Sequence, residues 1–232
     1  MPVDDNYTKS LLHFNGIDAS TTFVDESGKV WTAAGDAQLD TAQKKLGTAS
    51  GLFDGTGDYI DTPAHPGFNV GGDDFTIDFW VKRGGAGRAL EYFYSQRSAA
   101  NADRSHYVYL NDDLTVISKI LNDASTELRV DSDGAINTDW HHIAFIRHSD
   151  TLYLYIDGVA QADTEDATGF TVHDSTSKMT IGRAGEYITD PHYFEGHIDE
   201  FRLSKGIARW TANFTPPVRE YIAFVPKTYW FF

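Results

Sequence analysis

The stretch "DWHHIAFIRHSDTLYLYIDGVAQA" (Asp139–Ala162) decides the fold. Trp140 to Arg147 is rich in aromatic and β-branched residues, which suit a pleated, half-buried surface. His148-Ser149-Asp150-Thr151 supplies turn chemistry. In Leu152-Tyr153-Leu154-Tyr155-Ile156 the aliphatic residues fall on one face and both tyrosines on the other. Asp157-Gly158 is a strong hairpin signal, because a tight primed turn needs positive φ, which glycine adopts freely. Val159 to Ala162 then returns as a third strand. The stretch therefore spells an antiparallel meander with one face for a core and a second face carrying Tyr153 and Tyr155.

The same period-2 grammar runs outward from it. Phe75, Ile77, Phe79 and Val81 face one way, and Thr76, Asp78, Trp80 and Lys82 the other. Further strands are expected over Ser10–Asn15, with Leu12 and Phe14 sharing a face, and over Val30–Thr32. Leu52-Phe53 and Tyr59-Ile60 flank a glycine-rich turn. Ala89–Ser95, His106–Leu110, Leu114–Lys119, Glu127–Val130 and Met179–Ile181 complete the set. Thr41 to Thr48 allows a helical turn and nothing longer. About a dozen short strands without a convincing helix predict an all-β, antiparallel two-sheet jelly-roll sandwich. No repeat or low-complexity linker divides the chain. The expected organisation is an N-terminal arm (1–9), one jelly-roll domain (10–217) and an aromatic C-terminal docking segment (218–232).

Composition narrows the partners. With 34 acidic against 19 basic residues, the net charge is −15. A field of that sign repels phosphate backbones and anionic lipid, so neither nucleic acid nor membrane is expected as a partner. No apolar run approaches the ~18 residues of a membrane-spanning helix. The chain has no cysteine, so its core must hold without disulfides. Met1-Pro2-Val3-Asp4-Asp5 has neither a basic start nor an apolar stretch, so no signal peptide is expected.

"WHHIAFIRHSDTLYLYIDGVAQA" resembles the central hairpin of concanavalin A-like laminin-G/pentraxin jelly rolls. "GLFDGTGDYIDTP" (51–63), "DDFTIDFWVK" (73–82) and "FEGHIDEFRLSKGIARWTANFTPP" (194–217) resemble other strands of that family in the expected order. "TAQKKLGTASGLFDGTGDYI" (41–60) is similar to copies found in tailed-phage structural proteins. The resemblance implies a non-enzymatic virion structural or appendage protein, in a tail, fibre or capsid decoration, able to bind host-surface glycans. Its expected location is the virion, with the cell surface or extracellular space as the alternative. The alternative function is a free-standing carbohydrate-binding or adhesion module, with glycoside hydrolysis a more distant third.

The residues speak against hydrolysis. "EGHIDE" places Glu195 and Asp199 on one face four residues apart and Glu200 on the other, whereas retaining chemistry needs two carboxylates ~5–5.5 Å apart. His141 and His142 are adjacent on a strand and point to opposite faces, so they do not share an ion. No catalytic residue is assigned.

Asp199 is expected to share a face with His197, Phe201 and Leu203. A carboxylate on an apolar face must find donors or a cation. In jelly rolls of this kind the equivalent aspartate helps hold a structural calcium with the first strand and its loop. That resemblance implies a calcium site of Asn15, Asp18 and Asp199, beside a reading in which backbone N–H groups alone hold Asp199. The resemblance also implies sugar binding on aromatic platforms, for which Trp80, Tyr107, Tyr109, Tyr153 and Tyr155 are the candidates. Finally, Thr215-Pro216-Pro217 punctuates the end of the sandwich, and Tyr229, Trp230, Phe231 and Phe232 are expected to dock on a sister copy or another virion protein. Tyr221 to Val225 is open to folding back on the sandwich itself.

Overall fold

The computed structural model describes residues 6–85, 90–98, 103–185 and 192–221. Fifteen strands and one 3-10 turn (Pro66–Phe68) form two antiparallel sheets among those residues. The eight-stranded sheet runs β13 (Val159–Asp166), β12 (Thr151–Ile156), β11 (His141–His148), β6 (Phe75–Arg83), β15 (Glu195–Lys205), β4 (Ser50–Asp54) and β3 (Gln38–Asp40), with β1 (Thr8–Leu12) also paired to β15. The seven-stranded sheet runs β10 (Glu127–Ala135), β9 (Thr115–Leu121), β8 (Arg104–Leu110), β7 (Glu91–Arg97), β14 (Met179–Ile181), β5 (Tyr59–Thr62) and β2 (Thr32–Ala34). This is the predicted sandwich.

The deciding meander forms as read. Ser149 and Asp150 have φ of 47° and 61°, and Asp157 and Gly158 have 51° and 76°, so both hairpins close through two residues of positive φ. Such turns match the twist of the strands they join. Register then follows: Phe145 faces Leu154 on β12 and Ile77 on β6, and all three are buried between the sheets. Phe75, Ile77, Phe79 and Val81 enter that core together, as their alternation predicts. Phe79 packs edge-on against Phe93 of the opposite sheet at 5.7 Å and lies parallel to Phe201 at 6.0 Å.

Three boundaries differ from expectation. The first strand starts at Thr8 and ends at Leu12, because Phe14 takes a left-handed φ of 56° and breaks the extended run while still reaching the core. Residues 41–48 form bends without a helical turn, anchored by side chains from other segments. Strand β2 begins at Thr32, with Val30 making only a single bridge to Val24.

The most consequential difference is in β15. Asp199 is opposite Trp80 and Arg202 opposite Asp78, so three steps on one strand match two on the other. This is a β-bulge, and Glu200 carries a φ of 51° in it. The extra residue resets parity. Ile198, Phe201 and Leu203 point into the core, while Asp199, Glu200 and Arg202 make their contacts on the outer side. The expectation that Asp199 shares a face with Phe201 and Leu203 is corrected accordingly.

Candidate functional site

Each sheet has an outer face, and the five candidate aromatics divide between the two. Trp80, Tyr153 and Tyr155 lie outside the eight-stranded sheet, and Tyr107 and Tyr109 outside the seven-stranded one.

The first face is covered over Trp80 and Tyr155 by the chain's own segments, while Tyr153 stays partly exposed. After β15 the strap 206–221 crosses it. Trp210 and Phe214 stack at 4.0 Å with rings 6° apart, and both meet the edge of the fully buried His142. Phe214 also packs on Tyr155 at 5.6 Å. Gly158 makes the docking possible: Phe214 N donates to its carbonyl at 2.8 Å, and a Cβ there would collide with the Phe214 carbonyl. At the strap's end Tyr221 is buried, with its hydroxyl donating to Asp78 Oδ2. Asp78 also accepts from Arg202 Nε at 2.9 Å and Nη2 at 3.1 Å, and the Arg202 guanidinium lies 3.5 Å from the Tyr221 ring centre. Burial by itself would raise the Asp78 carboxyl, but Arg202 and His142 outweigh it and hold the group at about 2.

The loop 41–48 covers the other end of this face, and here the three expected calcium ligands reappear in another role. Asp18 Oδ1 accepts from Thr41 N and Oγ1, both at 3.0 Å. Asp199 Oδ2 accepts from Lys45 N at 2.8 Å and Leu46 N at 2.9 Å. Asn15 Oδ1 accepts from Thr48 N at 2.6 Å and Oγ1 at 2.8 Å. Their acceptor lone pairs therefore pin one loop at three points. An oxygen already taking two donors does not fit a calcium shell as it stands. Asp199 Oδ1, by contrast, is buried and without a partner among the described residues. Burial pushes the Asp199 carboxyl up to about 7 in spite of its two backbone donors. Lys45 Nζ lies 4.0 Å from the Trp80 ring centre and closes that indole off.

The outer face of the seven-stranded sheet is built differently. Tyr92 stacks on Tyr109 at 4.9 Å with rings 18° apart, and Tyr107 tilts against Tyr92 at 5.7 Å. Ile117 and Leu121 floor this cluster. The His192 ring lies 6.3 Å from Tyr92 at 18°, and two long cationic side chains reach the other rings. The Arg97 guanidinium is 5.3 Å from Tyr107 and Lys119 Nζ is 5.6 Å from Tyr109. Arg97 Nη1 donates to the Tyr92 hydroxyl at 3.1 Å, while its Nε has no partner among the described residues. Glu127 accepts from Tyr107 at 3.2 Å and pairs with Lys119 at 2.6 Å. Burial, followed by the charge of Glu127, raises the Tyr107 phenol well above its ordinary value. Chemically the face offers stacked phenol rings ringed by donors and acceptors, which is what a polar, ring-shaped ligand needs.

Beside Tyr107 and Tyr109, two of the five expected aromatics, the structure places Tyr92 and Arg97, which the sequence does not single out. A bulge at Phe93 hides their parity: register shifts between Tyr92 and Tyr94, and both Phe93 and Tyr94 enter the core. The glycosidase-like carboxylates do not assemble a cleft. Asp199 sits under the 41–48 loop, and Glu200 is held by His13 at 2.6 Å and by Tyr221 N at 3.1 Å. His141 bonds Asp157 at 2.7 Å at the sheet's end, while His142 lies under the strap, so the two histidines diverge as expected. The expected docking residues Tyr229, Trp230, Phe231 and Phe232 lie outside the described residues. Among the described residues no helix is long and apolar enough to cross a membrane.

Residues 54–209 match the laminin-G-type family model described as the concanavalin A-like lectin/glucanases superfamily. No curated protein is similar enough to count as a relative. Among solved structures, the receptor binding domain of botulinum neurotoxin C/D mosaic serotype is similar at 13% identity and a TM-score of 0.66, over 88% of this chain and 49% of that one. The binding domain of Paraclostridial Mosquitocidal Protein 1 is similar at 16% identity and 0.64, over 86% and 49%. The binding domain of botulinum neurotoxin DC, solved in complex with SialylT, is similar at 12% identity and 0.62, over 88% and 49%. The chain spans about half the length of these structures, and at such identity the likeness is one of fold.

Proposed function

The chain belongs to the concanavalin A-like lectin/glucanases superfamily, and from that premise we propose that it is a non-catalytic glycan-binding module whose binding surface is the outer face of the seven-stranded sheet. The observation that carries this reading is the Tyr92–Tyr109 stack with Tyr107 beside it, approached among the described residues by the side chains of Arg97, Lys119 and His192. A sugar ring entering there displaces Arg97 and Lys119 and keeps their charges at its rim. The unpartnered Arg97 Nε supports this, because a buried donor without an acceptor gains most from a ligand that brings one. The outer face of the other sheet is already taken by the chain itself. The family's binding-module neighbours are in keeping with the same reading.

The setting is a virion appendage. The likeness of residues 41–60 to tailed-phage structural proteins supports it, together with an acidic surface suited to protein partners and sister copies. Residues 229–232 are its docking group. Deleting 226–232 leaves the sandwich folded and abolishes assembly; normal assembly of the truncated chain sinks that part.

Screening the purified chain on a glycan array tests the binding reading. Tyr109→Ala removes binding while the melting curve keeps its cooperative form, and Tyr153→Ala, on the sealed face, leaves binding intact. The reverse pattern, or turnover of a β-glucan by the chain, overturns the proposal.

A further inference from the structure

We propose that His13, Glu200 and Glu220 form a binding site for a divalent first-row transition ion of the zinc type, distinct in position and ligand chemistry from the Asn15, Asp18 and Asp199 set. One ligand atom from each residue lies within 4.8 Å of the other two. The three come from separate parts of the chain: the end of the first strand, the bulge in β15 and the end of the strap. His13 Nδ1 is 2.6 Å from Glu200 Oε1, and the Glu200 carboxylate is almost fully buried. Glu220 Oε1 takes a hydrogen bond from Asn15 Nδ2, which fixes the carboxylate over Gly47. A Cβ on Gly47 would strike both Asn15 Oδ1 and Glu220 Oε1, so the site has room only because that residue is glycine with φ of 58°.

The donor set selects the ion. One imidazole nitrogen and two carboxylate oxygens are ligands that zinc accepts at ~2.0–2.2 Å, with water completing four-coordination. Calcium instead takes six to eight oxygen ligands and gains little from an imidazole. Two glutamates brought beside one histidine leave excess negative charge at a largely buried point, and a divalent ion neutralises it. One residue away on the same bulge, the fully buried Asp199 keeps an oxygen without a partner among the described residues, a second sign that this bulge holds uncompensated acceptor capacity. The ion takes the place of the proton shared by His13 and Glu200 and moves the two atoms slightly apart. Because Glu220 adjoins Tyr221, the ion also staples the strap to the first strand and β15.

The test uses the full chain, stripped with chelator and titrated with zinc chloride in a calorimeter, with melting temperature as a second readout. One zinc per chain is expected, with a higher melting temperature. Glu220→Gln and His13→Gln, both at partly exposed positions, should each weaken zinc binding about tenfold or more while the metal-free melting temperature stays close to that of the parent. His173→Gln, which removes a surface histidine lying between two aspartates, should leave the affinity unchanged. Cobalt(II) bound in place of zinc should show absorption bands of a low-coordinate nitrogen–oxygen site, lost in His13→Gln. Zinc that fails to bind, binding that survives both His13→Gln and Glu220→Gln, or binding lost in His173→Gln overturns the site. So does stoichiometric binding of calcium in the absence of any for zinc.

Discussion

The two outer faces of this sandwich begin alike, each with aromatic side chains standing out from a sheet, and end differently. On the eight-stranded side the chain spends two of its own segments, 41–48 and 206–221, to bury them. On the seven-stranded side single side chains, Arg97, Lys119 and His192, lie against the tyrosines among the described residues. The sealed face has become a second small core with a polar centre, and that has a cost. Trp80 Nε1, His142 Nδ1 and Asp199 Oδ1 are neighbours across three strands, and each is buried without a partner among the described residues. Each such orphan costs ~1–3 kcal/mol. The Asp78–Arg202–Tyr221 network and the Trp210–Phe214 stack must offset it. The difference separates a face closed by whole segments of the chain from one on which single side chains lie against the tyrosines.

The sharpest way to break the seal is Asp78→Ala. It removes the acceptor shared by the Arg202 guanidinium and the Tyr221 hydroxyl in a site that is 0% exposed at Asp78. Removing one partner of a buried charge pair costs ~3–5 kcal/mol. Urea denaturation should register that loss, and a change under ~1 kcal/mol would mean that the network does not hold the strap. Tyr221→Phe, which removes one hydrogen bond and keeps the ring, should cost only ~1–2 kcal/mol.

The next effect comes from the inner face of the seven-stranded sheet, where His106 is fully buried and bonds the Phe68 carbonyl at 2.9 Å. Burial lowers its pKa from 6.5 to about 4, and the Phe68 bond only partly opposes this. The folded state therefore keeps the imidazole neutral while the unfolded chain takes a proton. The contribution is fully present above pH 6.5 and is lost as pH falls toward 4, by about 3 kcal/mol in all. Stability measured from pH 7 to 4 should fall along that window, and His106→Gln should flatten this part of the slope. A slope unchanged in the variant would assign the loss to other groups. Asp78, held at about 2, keeps its charge throughout the same window.

Legibility in the sequence divides along the same line. The meander 139–162 is readable because alternation and turn residues are local, and the turn expected at Asp157-Gly158 has the positive φ that its glycine suggests. The bulge at Asp199–Glu200 is not, because it places a glutamate at positive φ where composition gives no warning. One inserted residue then inverted the facing of half a strand. The strap is readable only as an exit, since what turns "ARWTANF" inward is Gly158 in the β12–β13 turn and His142 on β11. His13 and Glu200 are 187 residues apart, and no spacing rule links them. Asn15, Asp18 and Asp199 are expected together as calcium ligands, with backbone N–H groups the other reading for Asp199, and in the structure all three accept from the 41–48 loop.

Gly158→Ala asks whether the seal can be lifted without touching its polar centre. The position has φ of 76°, and an added methyl group would meet the Phe214 carbonyl. Left-handed backbone costs a non-glycine residue ~1–2 kcal/mol, and the collision adds to it. Limited proteolysis should then cut within 206–221 faster than in the parent. Gly57→Ala is the control: its φ of 93° carries similar backbone strain, but the Cβ meets nothing within 4 Å. Equal protease sensitivity in the two variants would show that the strap does not depend on the fit at Gly158.

The smallest expected effect on folding, and the most telling for the open face, is that of Arg97→Ala. Arg97 touches Tyr92 and Tyr107 through the faces of their rings and one hydrogen bond, from a half-buried position at the end of β7. Cation–π contacts at such sites are worth ~0.5–1 kcal/mol, and part of that is regained by hydrating the freed phenol. The variant should therefore lose no more than ~1 kcal/mol in urea. On the sealed face a comparable deletion at Asp78 takes several times as much, because nothing there can rehydrate. Binding should move the other way. A planar guanidinium with a free Nε donates two parallel hydrogen bonds to a sugar's hydroxyl or carboxylate oxygens, so its removal should weaken any glycan selected on the array about tenfold or more. Arg97→Lys, which keeps the charge but not the planar fork, should recover little of it. A variant that binds as tightly as the parent would leave Arg97 as a cover for the tyrosines and nothing else, and the contrast between the two faces would then rest on Tyr92, Tyr107 and Tyr109 alone.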